Sequence, residues 1–252
     1  MLTQPSHGNA FLTELSGADY ALLRPHLTAM DLRDGDRLQG FGADIEQLVF
    51  PHGGLVALTM PLQNTGGAGA ILLGRDGILG ALGTAANAPA MCDAEVYVPG
   101  TAARMSASSF RNVLDQSPTI RRLAARYNAA LVIQAHQNAL CNAVHPLGAR
   151  VARLLLEIQD RCGGTDVPLT QITLSHMLGV QRTTVNLAAG DLEGAGLLKC
   201  HRGSLQIIKR EQLSRRACEC YRSLKGYISG LFAAPIAGGL AMSSEPLHPK
   251  TL

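Results

Sequence analysis

The chain changes character at Pro118. Before it, short apolar runs alternate with breaks rich in Gly, Asn, Asp and Pro; after it, Thr119 to Val144 contains neither Gly nor Pro. That stretch can form one unbroken helix of about 35–40 Å at 1.5 Å per residue. Ile120, Leu123, Ala124, Tyr127, Leu131, Gln134, Ala135, Asn138 and Cys141 fall on roughly one stripe of it. Such a stripe is either ordinary core or the face on which the same helix of a second chain pairs. Its length and its Ala-rich face with Leu, Val and Ile favour pairing, which makes Leu123, Tyr127, Leu131, Ala135 and Asn138 the dimer-helix residues.

The part before Pro118 reads as strands. Gln47–Phe50, Leu55–Met60, Ala68–Leu73, Ala94–Val98 and Ala102–Ser106 are separated by Pro51-His52-Gly53-Gly54, Asn64-Thr65-Gly66-Gly67 and Pro99-Gly100. Short strands at regular spacing with Gly-rich turns predict a small antiparallel barrel or jelly roll. An amphipathic helix from Phe11 to about Leu23 leads into it. Beyond Pro146, a further helix starts at Leu147 and runs past Gln159 to end at Cys162-Gly163-Gly164. With 252 residues against about 100–200 per domain, two modest domains are expected. The boundaries are 1–118 for the β-rich part, 119–145 for the helix, 146–225 for a second domain and 226–252 for a Gly/Ala/Pro-rich tail.

Charge marks the second domain. Residues 1–167 carry 12 Lys/Arg against 14 Asp/Glu, whereas 168–225 carry 9 against 4, so the formal +3 of the whole conceals a compact basic block. A phosphate-binding module needs such a block. Within it, Thr170 is an N-cap for a short helix with Leu174, Met177 and Leu178 inward. Gly179 suits a tight turn that needs positive φ. A second helix follows from Gln181 to Glu193, buried through Val185, Ala188, Ala189 and Leu192. Leu197–Cys200 and Ser204–Ile208 flank His201-Arg202-Gly203 as a β-hairpin wing. Helix, Gly turn, helix and wing make a winged helix-turn-helix.

The second helix of such a unit enters the major groove, and the first crosses the backbone. Gln181, Arg182, Thr183, Thr184 and Asn186 are therefore the expected base-reading residues. Arg182 suits a guanine edge and Asn186 an adenine; Leu187 either touches a thymine methyl or packs inward. Thr170, Gln171, Lys199, His201 and Arg202 suit phosphate, and the wing residues among them suit the minor groove too. Aromatic residues make up 4% of the chain and Trp is absent, which disfavours stacking on a single strand and leaves duplex DNA as the expected partner.

At this point the residues resemble the family of the cyclic-AMP receptor protein and the fumarate–nitrate reductase regulator, the Crp/Fnr regulators. LTQITLSHMLGVQRTTV reads like that family's helix-turn-helix, and DLEGAGLL follows where its members continue into the wing. The β-rich front, the long helix and Pro-Leu-Gly-Ala-Arg-Val-Ala-Arg-Leu-Leu-Leu sit in the family's order. The resemblance implies an α+β chain: a cyclic-nucleotide-binding-like barrel or jelly roll, a dimerisation helix and a C-terminal winged helix-turn-helix. It further implies a homodimeric transcription regulator on a near-palindromic site, with RNA polymerase as a partner and an unidentified small molecule as a possible effector.

Two departures qualify it. Members that bind cyclic AMP carry a Gly-Glu and then an Arg-Ser for ribose and phosphate; here the comparable stretches read Gly77-Ile78-Leu79-Gly80 and Ala88-Pro89-Ala90-Met91. A buried phosphate would lack its cation, so control by cyclic AMP is not expected. The Gly77/Gly80/Gly83 run either offers backbone N–H groups or is a turn-rich edge. In the reading helix, many members place Glu after the first Arg and a second Arg four positions later, where this chain has Thr183 and Leu187. The family's common half-site is therefore not assumed.

The remaining signals are mostly negative. Cys92, Cys141, Cys162, Cys200, Cys218 and Cys220 are dispersed, and residues 1–91 hold no cysteine, which disfavours an iron–sulfur mechanism. Cys218-Glu219-Cys220 alone is not a zinc motif, and His52, His136 and His145 read as isolated. No metal and no cofactor are expected. A thiol-redox or small-molecule sensor that works mainly through protein partners is the alternative function. Motifs of hydrolases, phosphate-binding loops, dinucleotide folds and zinc proteases are missing, so no enzyme is predicted. No apolar run reaches the ~18 residues of a membrane span, and no basic segment precedes an apolar one at the N-terminus; a cytoplasmic location is expected. The tail, with Ile228, Leu231, Phe232 and Ile236, either docks on the winged helix or stays partly disordered.

Overall fold

The computed structural model describes residues 8–61, 68–162 and 166–233. Two short helices, α1 (Ala10–Thr13) and α2 (Gly17–Leu23), lead into a 3-10 turn at Arg24–His26. The single helix expected from Phe11 to Leu23 is split because Ser16 starts a new one: its hydroxyl accepts the Asp19 N–H at 3.1 Å. Seven strands follow: β1 (Thr28–Leu32), β2 (Arg37–Gln39), β3 (Gln47–Pro51), β4 (Leu55–Met60), β5 (Ala68–Leu73), β6 (Asp93–Val98) and β7 (Gly100–Ser106), with α3 (Ala81–Ala86) between β5 and β6. They form two antiparallel sheets, ordered β1-β7-β3 and β2-β6-β4-β5. The sheets share a core in jelly-roll fashion and do not close into one barrel. All five expected strands are present; the turn expected at Asn64–Gly67 lies outside the described residues.

Helices dominate the rest: α4 (Ala107–Gln116), α5 (Pro118–Val144) and α6 (Leu147–Cys162), then β8 (Asp166–Val167), α7 (Gln171–Leu178), α8 (Arg182–Gly194), β9 (Leu198–His201), β10 (Ser204–Ile207), α9 (Arg210–Arg216) and α10 (Cys220–Ala233). Residues 226–233, where the tail was expected to begin, continue α10 along α5 and α6. The remaining tail expectation, 234–252, lies outside the described residues.

Two apolar cores organise this order. In the first, Phe11, Phe50 and Phe110 meet with ring centroids 6.1 and 6.4 Å apart, and α4 and α5 close over them. Asn9 pins α1 to the sheet. Its Oδ1 accepts from Phe11 N–H, and its Nδ2 donates to the carbonyls of Pro51 and Gly77 at 2.9 Å each, so a fully buried amide is satisfied. The second core lies on the opposite face of the β4–β6 sheet. Side chains of a strand alternate between faces; Val56 and Leu58 join the first core, while Leu55 and Ala57 pack with Leu155, Met177 and other residues of the C-terminal part. That explains why β4 is an almost continuous apolar run: both its faces are covered.

The long helix forms as expected, but its stripe has another use. Leu123, Tyr127 and Leu131 are buried in the chain's own first core, so they are not available to a second chain. Asn138 is half-buried and accepts from Arg153 at 2.9 Å, while Ala135 is exposed. A helix of this length carries apolar side chains on more than one face, and its sequence does not say which face meets the sheet. The outward face is Ala125, Ala129, Val132, His136, Ala139 and Ala143, all exposed, with Leu140 and Val144 beside it. Their alternating spacing of four and three is that of a helix-pairing seam.

Candidate nucleic-acid interface

The interface is built on α6, whose apolar side carries the second core and whose polar side reaches the other elements. Arg150 on α6 is buried and donates from Nη2 to the carbonyl of Leu178 at 2.7 Å. It thereby satisfies one of the carbonyls left unpaired at the end of α7. At its start, α7 is capped by Thr170, whose Oγ1 accepts the Thr173 N–H at 3.0 Å. Gly179 follows at φ +65°, the left-handed conformation expected of it, with its own N–H and that of Val180 bonded back to His176 and Ser175.

This turn sets α8 across α7. Val185, Ala188, Ala189 and Leu192 are buried, as the periodicity predicts. Gln181, Arg182, Thr183 and Thr184 are all exposed at the start of α8. Gln181 occupies the N-cap position without a side-chain cap bond, so the positive end of the helix dipole faces outward uncovered. Leu187 is 71% exposed, which removes inward packing as its role. Asn186 differs from expectation: it is half-buried, and its Oδ1 is enclosed with no hydrogen-bond partner among the described residues. A bidentate contact needs both amide atoms free, so of the five base-reading candidates the fold withholds this one.

The wing is a three-stranded sheet ordered β8-β10-β9; β8 is too short to have been visible in the sequence. His201 pairs with Ser204 across a two-residue turn, Arg202-Gly203, with Gly203 at φ +91°. Lys199, His201 and Arg202 are exposed there; Thr170 is exposed at the start of α7, and Gln171 is half-buried against the Cys200 thiol. Glu193, near the end of α8, accepts the Cys200 N–H at 2.8 Å, and that backbone donor holds its carboxyl below the usual range. The wing is thus tethered to the reading helix, and the exposed cations sit beside it. Such a surface can donate to phosphates and to base edges.

Residues 149–216 match the family model of the Crp-like helix-turn-helix domain. The whole fold matches solved regulators of the Crp/Fnr type. FixK2 from Bradyrhizobium japonicum is 18% identical, with a TM-score of 0.65 over 76% of this chain and 98% of its own. A putative Crp/Fnr-family transcriptional regulator from Eubacterium rectale is 16% identical, with a TM-score of 0.64 over 83% of this chain and 98% of its own. The c-di-GMP-responsive global regulator CLP of Xanthomonas campestris is 12% identical, with a TM-score of 0.62 over 76% of this chain and 99% of its own. No curated protein matches the sequence significantly. The chain therefore carries a segment similar to the Crp-like helix-turn-helix domain, on a fold shared with these solved structures. No described helix is long and apolar enough to cross a membrane.

In front of the Crp-like domain, the Gly77–Gly83 run is closed over by protein. A Cβ on Gly77 would lie 3.0 Å from Leu73 and from the Tyr127 hydroxyl, and one on Gly83 would lie 2.3 Å from Ile45. The N–H groups of Gly77 and Leu79 already bond to Gly74 and Val49 at 2.9 Å. Between this turn and α5, at Leu73, Tyr127 and Gln134, the free space is about 10 Å³, room for about one water. Burial pushes the Tyr127 phenol well above its usual range, so the group stays neutral there. A wider cleft of about 350 Å³ opens next to it, between Arg75, Asp76, α6 and α10. Most of its charges are paired, Arg161 with Asp76 at 3.2 Å, and Asp160 with Lys225 at 3.0 Å and Arg210 at 2.6 Å, while Arg75 donates to the Asp160 carbonyl at 2.9 Å.

Proposed function

We propose that this chain is a homodimeric transcription regulator of the Crp/Fnr type that reads a near-palindromic duplex through α8 and the wing, works with RNA polymerase, and is not controlled by cyclic AMP. The observation that carries the DNA reading is the exposed turn Gln181–Thr184, placed beside Lys199, His201 and Arg202 within a Crp-like domain. Arg182 is the guanine reader, Thr183, Thr184 and Gln181 are its neighbours, and Leu187 covers a thymine methyl. Thr170, Gln171 and the wing cations hold phosphate. The dimer is supported by the outward seam from Ala125 to Ala143, which would set two reading helices about one DNA turn apart.

Independence from cyclic AMP is supported by the covered glycine run, where the N–H groups of Gly77 and Leu79 are already bonded to Gly74 and Val49. Because one structural relative responds to c-di-GMP, any effector must be sought among dinucleotides as well as mononucleotides. Selection from random duplexes with the full chain tests the reading. A two-fold-symmetric motif of about two turns is expected, and an asymmetric or unselective pool refutes it. A thermal-shift panel of cyclic nucleotides tests the second clause, with no shift expected for cyclic AMP.

A further inference from the structure

Four side chains that are far apart in sequence meet where α5 ends. Cys141 lies in the last turn of α5 and His145 just follows it, four residues on, so both face the same side. Cys218 comes from the turn between α9 and α10, and Cys220 is the first residue of α10. Their three sulfurs and the imidazole nitrogen all lie within 4.8 Å of one another. Cys141 Sγ is 3.5 Å from Cys218 Sγ, and Cys220 Sγ is 3.5 Å from His145 Nδ1. The cysteines form a buried cluster of their own, separate from both apolar cores. His145 is thus not isolated, and three of the six thiols are not dispersed.

We propose that Cys141, His145, Cys218 and Cys220 form a closed tetrahedral site for a thiophilic divalent cation, for which zinc is the best fit. The donor set is Cys₃His, a structural zinc set, and zinc–sulfur and zinc–nitrogen bonds of about 2.3 and 2.0–2.1 Å imply tetrahedron edges of about 3.6–3.8 Å. The 3.5 Å pairs already have nearly that length, and the widest separation, 4.8 Å at most, needs a contraction of about an ångström. The donors are too close together to straddle an iron–sulfur cluster, whose four ligands are spread over two or more irons.

The surroundings are those of an occupied site. With Nδ1 turned to the cysteines, His145 presents Nε2 to Glu219 Oε1 at 3.2 Å, the carboxylate–histidine pairing that orients metal-bound imidazoles. Gln137 donates from Nε2 to Cys220 Sγ at 2.9 Å. Three thiolates, a neutral imidazole and a divalent ion leave one net negative charge, and the guanidinium groups of Arg150 and Arg153 lie within electrostatic reach of Cys141 and Cys218. Loading is balanced: three S–H bonds break, three metal–sulfur bonds and one metal–nitrogen bond form, and three protons leave. All four positions come from protein, so the ion has no open site for substrate. It ties the end of α5 to the start of α10.

The full chain, purified reduced and without chelator, should carry one zinc per chain by mass spectrometry of the metal. Cobalt(II) added to the metal-free, reduced chain should give the visible bands of a tetrahedral ion and thiolate charge transfer in the near ultraviolet. Zinc should also raise the melting temperature of that metal-free chain. C218S and C220S should lose the ion, C162S and C200S should keep it, and E219Q should bind about 10–100-fold more weakly. Failure of the wild-type chain to take up zinc and to give the cobalt spectrum overturns the proposal, whether or not the variants fold. So does retention of the metal by the C218S/C220S double variant, or a Cys141–Cys218 disulfide as the only product of loading attempts.

Discussion

Replacing Val132 by Asp separates the two faces of α5. Val132 is 46% exposed in the middle of the outward seam, whereas Leu131, its neighbour, is 9% exposed in the chain's own core. If the seam pairs, each Val132 gives up the half of its side chain still open to water, about 1 kcal/mol per chain against 1.5–3 for a whole side chain. Two Asp side chains facing each other at about 6 Å would add about 3 kcal/mol of repulsion at an effective dielectric constant near 20. Screening at physiological salt, with a Debye length of about 8 Å, leaves about half of that repulsion in place. Together these effects come to about 3.5 kcal/mol, or a dimer weakened by roughly two and a half orders of magnitude. Sedimentation equilibrium across micromolar concentrations reads this directly, with far-ultraviolet circular dichroism to show that the helices persist. The companion variant Leu131→Asp should lose its fold rather than its partner, because it buries a carboxylate among apolar side chains. A folded Val132→Asp chain whose dimer constant stays within about threefold of wild type would refute the seam, since even the burial contribution alone exceeds that.

Other consequences are simpler to state. Arg182→Ala should weaken binding to the selected duplex by about 1–3 kcal/mol per half-site and relax the preference at one base pair. Lys199→Ala should instead weaken all duplexes alike and lower the slope of log K against log salt by about one per chain; anisotropy titrations at several salt concentrations distinguish the two. Arg150→Met keeps the apolar stem but leaves the Leu178 carbonyl unpaired; a loss of about 1–3 kcal/mol in urea unfolding is expected, and no loss would mean that the end of α7 needs no clamp. Asp160 provides the acid limit. Burial works to raise its pKa, but hydrogen bonds from Tyr221 and Lys225 and the charge of Arg210 outweigh that and hold it below the usual carboxylate value. A depressed folded-state pKa stabilises fully above the unfolded value of about 3.9 and is lost as pH falls through the folded one. The urea midpoint should therefore fall below about pH 4, and Asp160→Asn should flatten that limb.

The reader was legible in the sequence because its signals are local. A cap at Thr170, a glycine at 179 and inward residues at Val185, Ala188, Ala189 and Leu192 fix a helix-turn-helix within 25 positions or so, and each was found where expected. Non-local choices were not legible. Which face of α5 meets the sheet depends on α4 and the N-terminal sheets, so Leu123, Tyr127 and Leu131 looked free for pairing. Arg150, Arg153 and Arg161 are all buried, because their partners, the Leu178 carbonyl, Glu157 and Asp76, come from other turns and elements. Strands β1 and β2 are short and largely exposed, and they lack the alternation that betrays a strand. The Cys141–Cys218 contact spans 77 positions, a separation at which spacing carries no information.

These buried polar groups decide how the reader sits on the rest of the chain. The second core supplies most of the attraction between α6 and the β4–β6 sheet, but apolar contact is non-directional and tolerates sliding. Arg161 does not: its Nε meets Asp76 at 3.2 Å, its neighbouring Glu157 is held by Arg153 at 2.8 Å, and Arg153 also grips Asn138 of α5. Gly74 has no side chain because the Arg161 Cβ stands 2.6 Å from where its own would be. A buried pair of this kind adds little net stability over an apolar pair of the same size, yet breaking one half costs about 3–5 kcal/mol. It therefore acts on register more than on affinity. Any ligand that moved the Arg75–Asp76 turn would have to break or carry Arg161 with it, and α6 would pass that displacement through Arg150 to the end of α7, next to the base-reading turn. Buried polar contacts thus line a single side of α6, from Asp76 at the front sheet to the Leu178 carbonyl beside the exposed turn Gln181–Thr184.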